Sequence, residues 1–182
     1  MLTLYIPGQE FWDSKHEIFV TTKPTTLTLE HSLLSLSKWE AKWCTPFLSS
    51  NNLSNEQLLD YIRCMVINPK DPDANLFLSL SNEMIEEINS YINKPMTATV
   101  FSDKNQKQSR QREKITSELI YYWMITFNIP FECEKWHLNR LLTLIRLCSI
   151  KNTPPKKMSK GEIYNRNQAL NAARRAKLHS KG

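Results

Sequence analysis

The chain has 182 residues, 41 % of them hydrophobic, and 24 Lys and Arg stand against 18 Asp and Glu. That length supports one domain with a real core rather than two large ones, and only three Gly argue against Gly-rich phosphate loops and against an all-β fold dense in tight turns. The net charge of +6 is unevenly placed: Lys151 to Gly182 hold nine Lys or Arg and one acid, Glu162, a balance of +8, while residues 1–150 sum to −2.

In chain order, Leu2, Leu4 and Ile6 alternate and then stop at Pro7-Gly8, which predicts a strand. A second strand is expected over Glu17–Thr22, pairing with the first as a hairpin whose long loop carries Phe11 and Trp12. A third short strand fits Thr25–Leu29. From Glu30 the spacing changes: Leu33, Leu36, Trp39 and Trp43 share one helical face, and Thr45-Pro46 closes that helix. Ser54 and Gln57 form a capping box for the next, which carries Leu58, Ile62, Met65 and Val66. Asn68 to Asp73 is a turn cluster. Ser81 caps a third helix with Met84, Ile85, Ile88 and Ile92, stopped by Lys94-Pro95, and Thr97–Phe101 reads as a strand or an extended connector. Ser102–Lys114 is polar and reads as a mobile loop. The most apolar helix follows, with Ile115, Leu119, Tyr122, Trp123 and Phe127, and Asn128-Ile-Pro ends it. Cys133 to Ile150 predicts another helix, bearing Trp136, Leu141, Leu144, Ile145 and Cys148, and the short connection predicts an αα-hairpin of these two. Thr153-Pro154-Pro155 is a semi-rigid hinge, and Ser159 with Glu162 opens a last helix that has little to bury. The expected fold is α+β and predominantly helical: a β element at residues 1–29, a helical body at 30–150, and a basic helical extension at 151–182.

The chemistry of catalysis finds little footing. Cys44, Cys64, Cys133 and Cys148 form no CxxC pair and read as four reduced, buried thiols of an intracellular protein. Cys133 and His137 stand four apart on a predicted helix, but no second Cys/His pair completes a metal site, and nothing local marks a thiolate nucleophile. Glu83, Glu86 and Glu87 lie in the early turns of one helix; adjacent ones point about 100° apart, so they are not the paired carboxylates of an acid/base site. His16, His31 and His179 have no partners that spacing can identify. Phosphate-loop, dinucleotide, zinc-protease and serine-elbow patterns are absent. The expectation is a non-enzyme with no catalytic residue, metal or cofactor. Residues 1–7 lack the basic and long apolar regions of a signal peptide, and Leu119–Phe127 is far below membrane-spanning length, so a soluble, cytoplasmic protein is expected.

Binding features are easier to find. Trp39 and Trp43 form an i, i+4 pair, Tyr121, Tyr122 and Trp123 crowd one turn, and Trp136 begins the next helix. Tyr121 to Trp123 cover more than one helical face, so part of the group leaves the core stripe. These six aromatics are candidate partner contacts, because exposed aromatics anchor interfaces. Lys156, Lys157, Arg166, Arg174, Arg175 and Lys177 are candidate basic contacts for an acidic surface. The same residues could neutralise nucleic-acid phosphates, although Tyr164 is the sole aromatic near them for stacking a base.

Seven strings together carry a resemblance: Trp39-Glu-Ala-Lys-Trp43, Tyr61-Ile-Arg-Cys-Met65, Pro95-Met-Thr-Ala-Thr99, Tyr121-Tyr-Trp-Met-Ile125, Ile129-Pro-Phe-Glu-Cys133, Lys135-Trp-His-Leu-Asn-Arg-Leu141 and Leu170-Asn-Ala-Ala-Arg-Arg175. They span most of a chain that resembles the tail assembly chaperones of long-tailed, siphovirus-like bacteriophages. The resemblance implies a non-enzymatic, mostly helical protein of the host bacterial cytoplasm. Such a protein binds the tape-measure protein, helps recruit tail-tube subunits, and leaves the finished particle. Self-association is a further option. Nucleic-acid binding through the tail and a structural place in the phage tail or neck are the alternatives.

Overall fold

A computed structural model describes residues 1–13, 17–50, 52–101, 114–153 and 159–179. Five strands occur among them: β1 (Leu2–Ile6), β2 (Glu10–Asp13), β3 (Ile18–Thr21), β4 (Thr25–Leu29) and β5 (Val66–Asn68). β1 pairs antiparallel with β4, Leu2 opposite Leu29 and Leu4 opposite Leu27. Alternation then places Leu4, Ile6, Leu27 and Leu29 on one buried face while Tyr5 faces water. β5 adds to β4 beside a bulge at Thr28/Leu29, which gives the order β1-β4-β5.

β2 and β3 form a separate two-stranded ribbon between β1 and β4. This corrects the expected hairpin: Phe11 and Trp12 belong to a strand rather than a loop, and β1 takes β4 as its partner. The physical reason is that Pro7-Gly8 and Lys23-Pro24 interrupt both legs at the same level, where proline offers no ladder donor. The gap is bridged by Thr22, whose N–H donates to the Gln9 carbonyl at 2.8 Å and whose Oγ1 accepts from the Gln9 N–H at 3.1 Å. Gly8 is needed there for close approach: a Cβ would lie 2.9 Å from the Thr22 carbonyl oxygen and 3.0 Å from Pro24 Cδ. Gly8→Ala is therefore expected to lower stability by about 1–3 kcal/mol, as other overpacked sites do. A urea melt with an unchanged midpoint would show that the ribbon base yields freely.

Six α-helices occur among the described residues: α1 (Leu33–Trp43), α2 (Asn55–Met65), α3 (Asn82–Asn93), α4 (Ser117–Thr126), α5 (Leu138–Asn152) and α6 (Lys160–Leu178). Their starts follow local chemistry. Ser32 caps α1 in a reciprocal box with Ser35, Ser54 does the same for α2 with Gln57, and Ser81 caps α3. Short 3-10 turns lie at Phe47–Ser49, Ala74–Ser79 and Phe131–Lys135. The last of these corrects the expected helix from Cys133, because α5 starts only at Leu138 and Cys133 and His137 are not one turn apart on an α-helix. It also lengthens the connection between α4 and α5; α4 packs on α1, and its Trp123, with Phe127 just after it, lines a groove shared with Leu142 and Ile145 of α5. Val66 leaves α2 for β5, and Thr97–Phe101 is irregular. The Ser102–Lys114 loop, except Lys114, and Pro154-Pro155 lie outside the described residues.

The chain divides into two compact units, Met1–Ser149 and Ile150–Gly182. Within the first, Leu33, Leu36, Trp39, Tyr61, Met65, Ile88, Ile120, Met124, Leu138 and Leu141 are buried against the apolar face of the β1-β4-β5 sheet or against one another. Each such side chain contributes roughly 1.5–3 kcal/mol relative to exposure. Within the second, every described side chain is exposed.

A polar seam crosses this core at the turn between β4 and α1. The Glu30 N–H donates to the Met65 carbonyl at 2.9 Å, and the His31 carbonyl accepts from the Leu138 N–H at 2.7 Å. The Tyr61 phenol, pushed up by burial, keeps its proton and donates it to His31 Nδ1 at 2.6 Å. His137 Nδ1 accepts from the Asn139 N–H at 3.3 Å, so Nε2 carries the proton and donates to the Tyr91 carbonyl at 3.1 Å. The Tyr91 hydroxyl donates to Glu30 Oε1 at 2.5 Å, and the Met1 amino group ion-pairs with Oε2 at 3.1 Å. The seam thus ties sheet, α2, α3 and α5 together through satisfied groups, which is what a buried polar network requires.

Candidate functional site

α4 is apolar almost all the way round: Leu119 to Ile125 contains no charged residue. Its start is set by Thr116, whose Oγ1 accepts from the Leu119 N–H, and by Glu118 in the first turn, where a carboxylate suits the positive helix end. One face, Ser117, Ile120 and Met124, is buried. The opposite face presents Tyr122 and Ile125, each 61 % exposed, and Leu119, Tyr121, Trp123 and Phe127 are half-buried between the two. A soluble monomer has no packing reason to keep such a face, since surface helices are normally polar on the solvent side.

The face continues beyond the helix. Asn128 takes a left-handed φ of 52°, the Ile129 N–H returns to the Met124 carbonyl at 2.8 Å, and the chain turns so that Phe131, 55 % exposed, sits with its ring 6.4 Å from that of Tyr121. Tyr121 is fixed by donating to Glu134 Oε2 at 2.8 Å. Burial, that hydrogen bond and the Glu134 charge push the phenol up to about 12, so it remains a donor at neutral pH. On the other flank Trp123 and Phe127 meet Leu142 and Ile145 in a shallow groove of about 310 Å³, with Arg146 at its wall. The Arg146 guanidinium lies over the Phe101 ring at 4.2 Å, and that of Arg140 over Trp136 at 4.1 Å.

What holds this surface in place is Glu40 of α1. Its Oε2 accepts from the Ser117 N–H at 2.6 Å and its Oε1 from the Phe47 N–H at 2.9 Å, with the carboxylate buried. One side chain thus satisfies an orphan donor at the start of α4 and ties it to α1. Spacing gives no sign of Glu40, because its partners are seven and seventy-seven residues away. The available signal was a carboxylate held between two tryptophans at the close of an amphipathic helix.

The six candidate aromatics do not form one site. Trp39 is completely buried and donates to the Gln57 carbonyl at 2.8 Å; this removes it from the partner contacts and makes it a core residue. Trp43 is half-buried and donates to Asp60 Oδ2 at 2.8 Å, while Lys42 holds Oδ1 at 2.5 Å. Burial alone would raise the Asp60 carboxyl, but the hydrogen bonds from Lys42 and Trp43 and the charges of Lys42 and Arg63 prevail and hold it below the usual range. This pair therefore joins α1 to α2. Tyr121, Tyr122 and Trp123 lie together on α4, and Trp136 is half-buried just before α5. Ile125 and Phe131 complete the exposed set and were missed, because an apolar residue in an apolar run carries no mark of which face it takes.

Arg166, Arg174, Arg175 and Lys177 are exposed on α6, while Lys156 and Lys157 lie outside the described residues. Arg166 and Arg175 stand nine positions apart, half a turn out of phase, so the charge surrounds the helix rather than forming one stripe. Among the described residues no three His, Cys, Asp or Glu side chains are grouped to hold a metal ion, and no helix is long and apolar enough to cross a membrane. The four cysteines are not all buried as expected: Cys44, at the left-handed end of α1, is exposed and Cys64 and Cys148 are half-buried, whereas Cys133 is buried and burial raises its thiol, the opposite of an activated nucleophile. No family model, curated protein or solved structure matches this chain.

Proposed function

We propose that this chain is a non-enzymatic tail assembly chaperone of a long-tailed bacteriophage, acting in the host cytoplasm, that covers apolar helical segments of the tape-measure protein and helps bring tail-tube subunits to it. The observation that carries the reading is the exposure of Tyr122, Ile125 and Phe131, the last with its ring beside that of Tyr121, on the segment that also lines the Trp123–Phe127 groove. Two of the strings that resemble the family, Tyr121–Ile125 and Ile129–Cys133, supply the exposed Tyr122, Ile125 and Phe131, while their Met124, Ile129 and Cys133 are buried. An amphipathic helix laid along this segment would find aromatic anchors and a groove for its apolar stripe. The basic α6 supplies a second contact for acidic segments of either partner.

The test is co-expression with the tape-measure protein of the same genome, followed by co-purification at moderate salt, where nonspecific basic contacts are screened. A salt-resistant complex is expected. Tyr122→Ala with Phe131→Ala should weaken it at least about thirtyfold, because each ring has hot-spot character, while thermal unfolding changes little, since both rings are exposed. An unaffected complex would remove this face from the reading. If the chain instead binds only nucleic acid, and Arg174→Ala with Arg175→Ala flattens the salt slope by up to about two units, the α6 reading replaces it.

A further inference from the structure

The β2–β3 ribbon has more apolar surface and more open backbone than its role as a connection explains. It contains two strands only, so each has one edge whose N–H and C=O groups enter no ladder among the described residues. Trp12 and Phe19 are register partners on one face, their centroids 4.9 Å apart edge to face, yet they are 52 % and 68 % exposed. A two-stranded ribbon is marginal in water and gains stability from a third strand or a covering element. Natural edges are blunted by charge to prevent pairing, and here the edges differ. β2 carries Glu10 and Asp13, whereas Ile18 to Thr21 of β3 contain no charged residue.

We propose that β3 pairs antiparallel with β3 of a second copy of this chain across a two-fold axis perpendicular to the sheet, giving a four-stranded sheet in the order β2-β3-β3-β2. Such an axis keeps every residue on its own face, so directly opposed positions must share parity. Phe19 opposite the partner's Phe19 meets that condition. A continuous row of Trp12, Phe19, the partner's Phe19 and the partner's Trp12 then crosses all four strands on one face. Aromatic cross-strand pairs are among the favourable ones, and a self-complementary edge is what an isologous dimer uses. A strand from a different protein would use the hydrogen bonds of this edge, but it is the second copy that completes the aromatic row from residues already present.

Sedimentation velocity from low to high micromolar protein tests this. A concentration-dependent dimer is expected, and Phe19→Lys, which sets two ammonium groups opposite each other, should raise its dissociation constant at least about tenfold. Thermal unfolding of that variant should match the parent, since the side chain is exposed and outside the core. In a Cys44→Ser background, Phe19→Cys should oxidise to a disulfide-linked dimer. Trp12→Cys should not, because the two Trp12 positions lie three strand spacings apart, about 14 Å. A monomer at every concentration overturns the proposal, and so does a dimer that Phe19→Lys leaves intact.

Discussion

Glu40→Ala is expected to destabilise the protein by about 3–5 kcal/mol, a large part of the roughly 5–15 kcal/mol that holds a domain folded. The carboxylate accepts the Ser117 N–H at 2.6 Å and the Phe47 N–H at 2.9 Å, and its removal leaves both donors without that acceptor at a buried junction. Hydrogen bonds to a charged group contribute roughly 1.5–3 kcal/mol each, and an unsatisfied buried donor carries a further desolvation cost. Glu40→Gln should fall between, at about 2 kcal/mol, because the amide keeps one acceptor oxygen and turns an NH₂ toward the other donor. Urea denaturation of the three proteins at neutral pH measures both steps. If the alanine variant lies within about 0.5 kcal/mol of the parent, the range of ordinary surface changes, Glu40 is not what fixes α4.

The second large effect is on acid stability. His31 is held down to about 4, first by burial and then by the neighbouring His137 charge, and the two rings lie 5.1 Å apart. Burial also lowers His137, against the opposing hydrogen bond to Tyr91 and the Glu30 charge. In the unfolded chain both imidazoles titrate near 6.5, so the unfolded state takes up protons first as the pH falls. The stabilisation is therefore fully present above about 6.5 and is lost from there down through about 4. For His31 alone, a displacement from 6.5 to about 4 corresponds to roughly 3 kcal/mol at about 1.4 kcal/mol per unit. Chemical denaturation in steps from pH 7.5 to 4.5 should show this loss, and His31→Gln, which cannot titrate, should flatten it. An equally steep loss in that variant would assign the acid sensitivity to other groups.

The elements whose signals are local were legible in the sequence. Ser54 with Gln57, Ser81 ahead of its apolar run, and the prolines at 24, 46, 95 and 130 mark boundaries through chemistry contained within a few residues. Strand pairing was not legible, because β1 and β3 both alternate. Nothing in alternation says that Pro7 and Pro24 will face each other and divide one ribbon into two. Cys133 has the helical spacing of its apolar neighbours, yet the chain after Pro130 closes i→i+3 bonds, Cys133 N–H to the Pro130 carbonyl and Trp136 N–H to the Cys133 carbonyl, which make a short 3-10 turn instead. The candidate site divides in the same way. The aromatic crowding of α4 was visible, but exposure is settled by what packs on the helix from elsewhere. Trp39 went inward because α2 covers it, and Tyr122 stayed outside because no described element packs over it.

The helix that carries the exposed face is also the helix whose first turn is secured by Glu40, and this couples occupancy of the surface to survival of the fold. A partner that binds only the folded form adds stability by mass action, about 2.7 kcal/mol when it is present at a hundred times its dissociation constant. The melting temperature of the chain is then a titratable readout of its partner's concentration. A destabilised variant such as Glu40→Ala, poor as an isolated protein, becomes the most sensitive reporter of that partner in the cell.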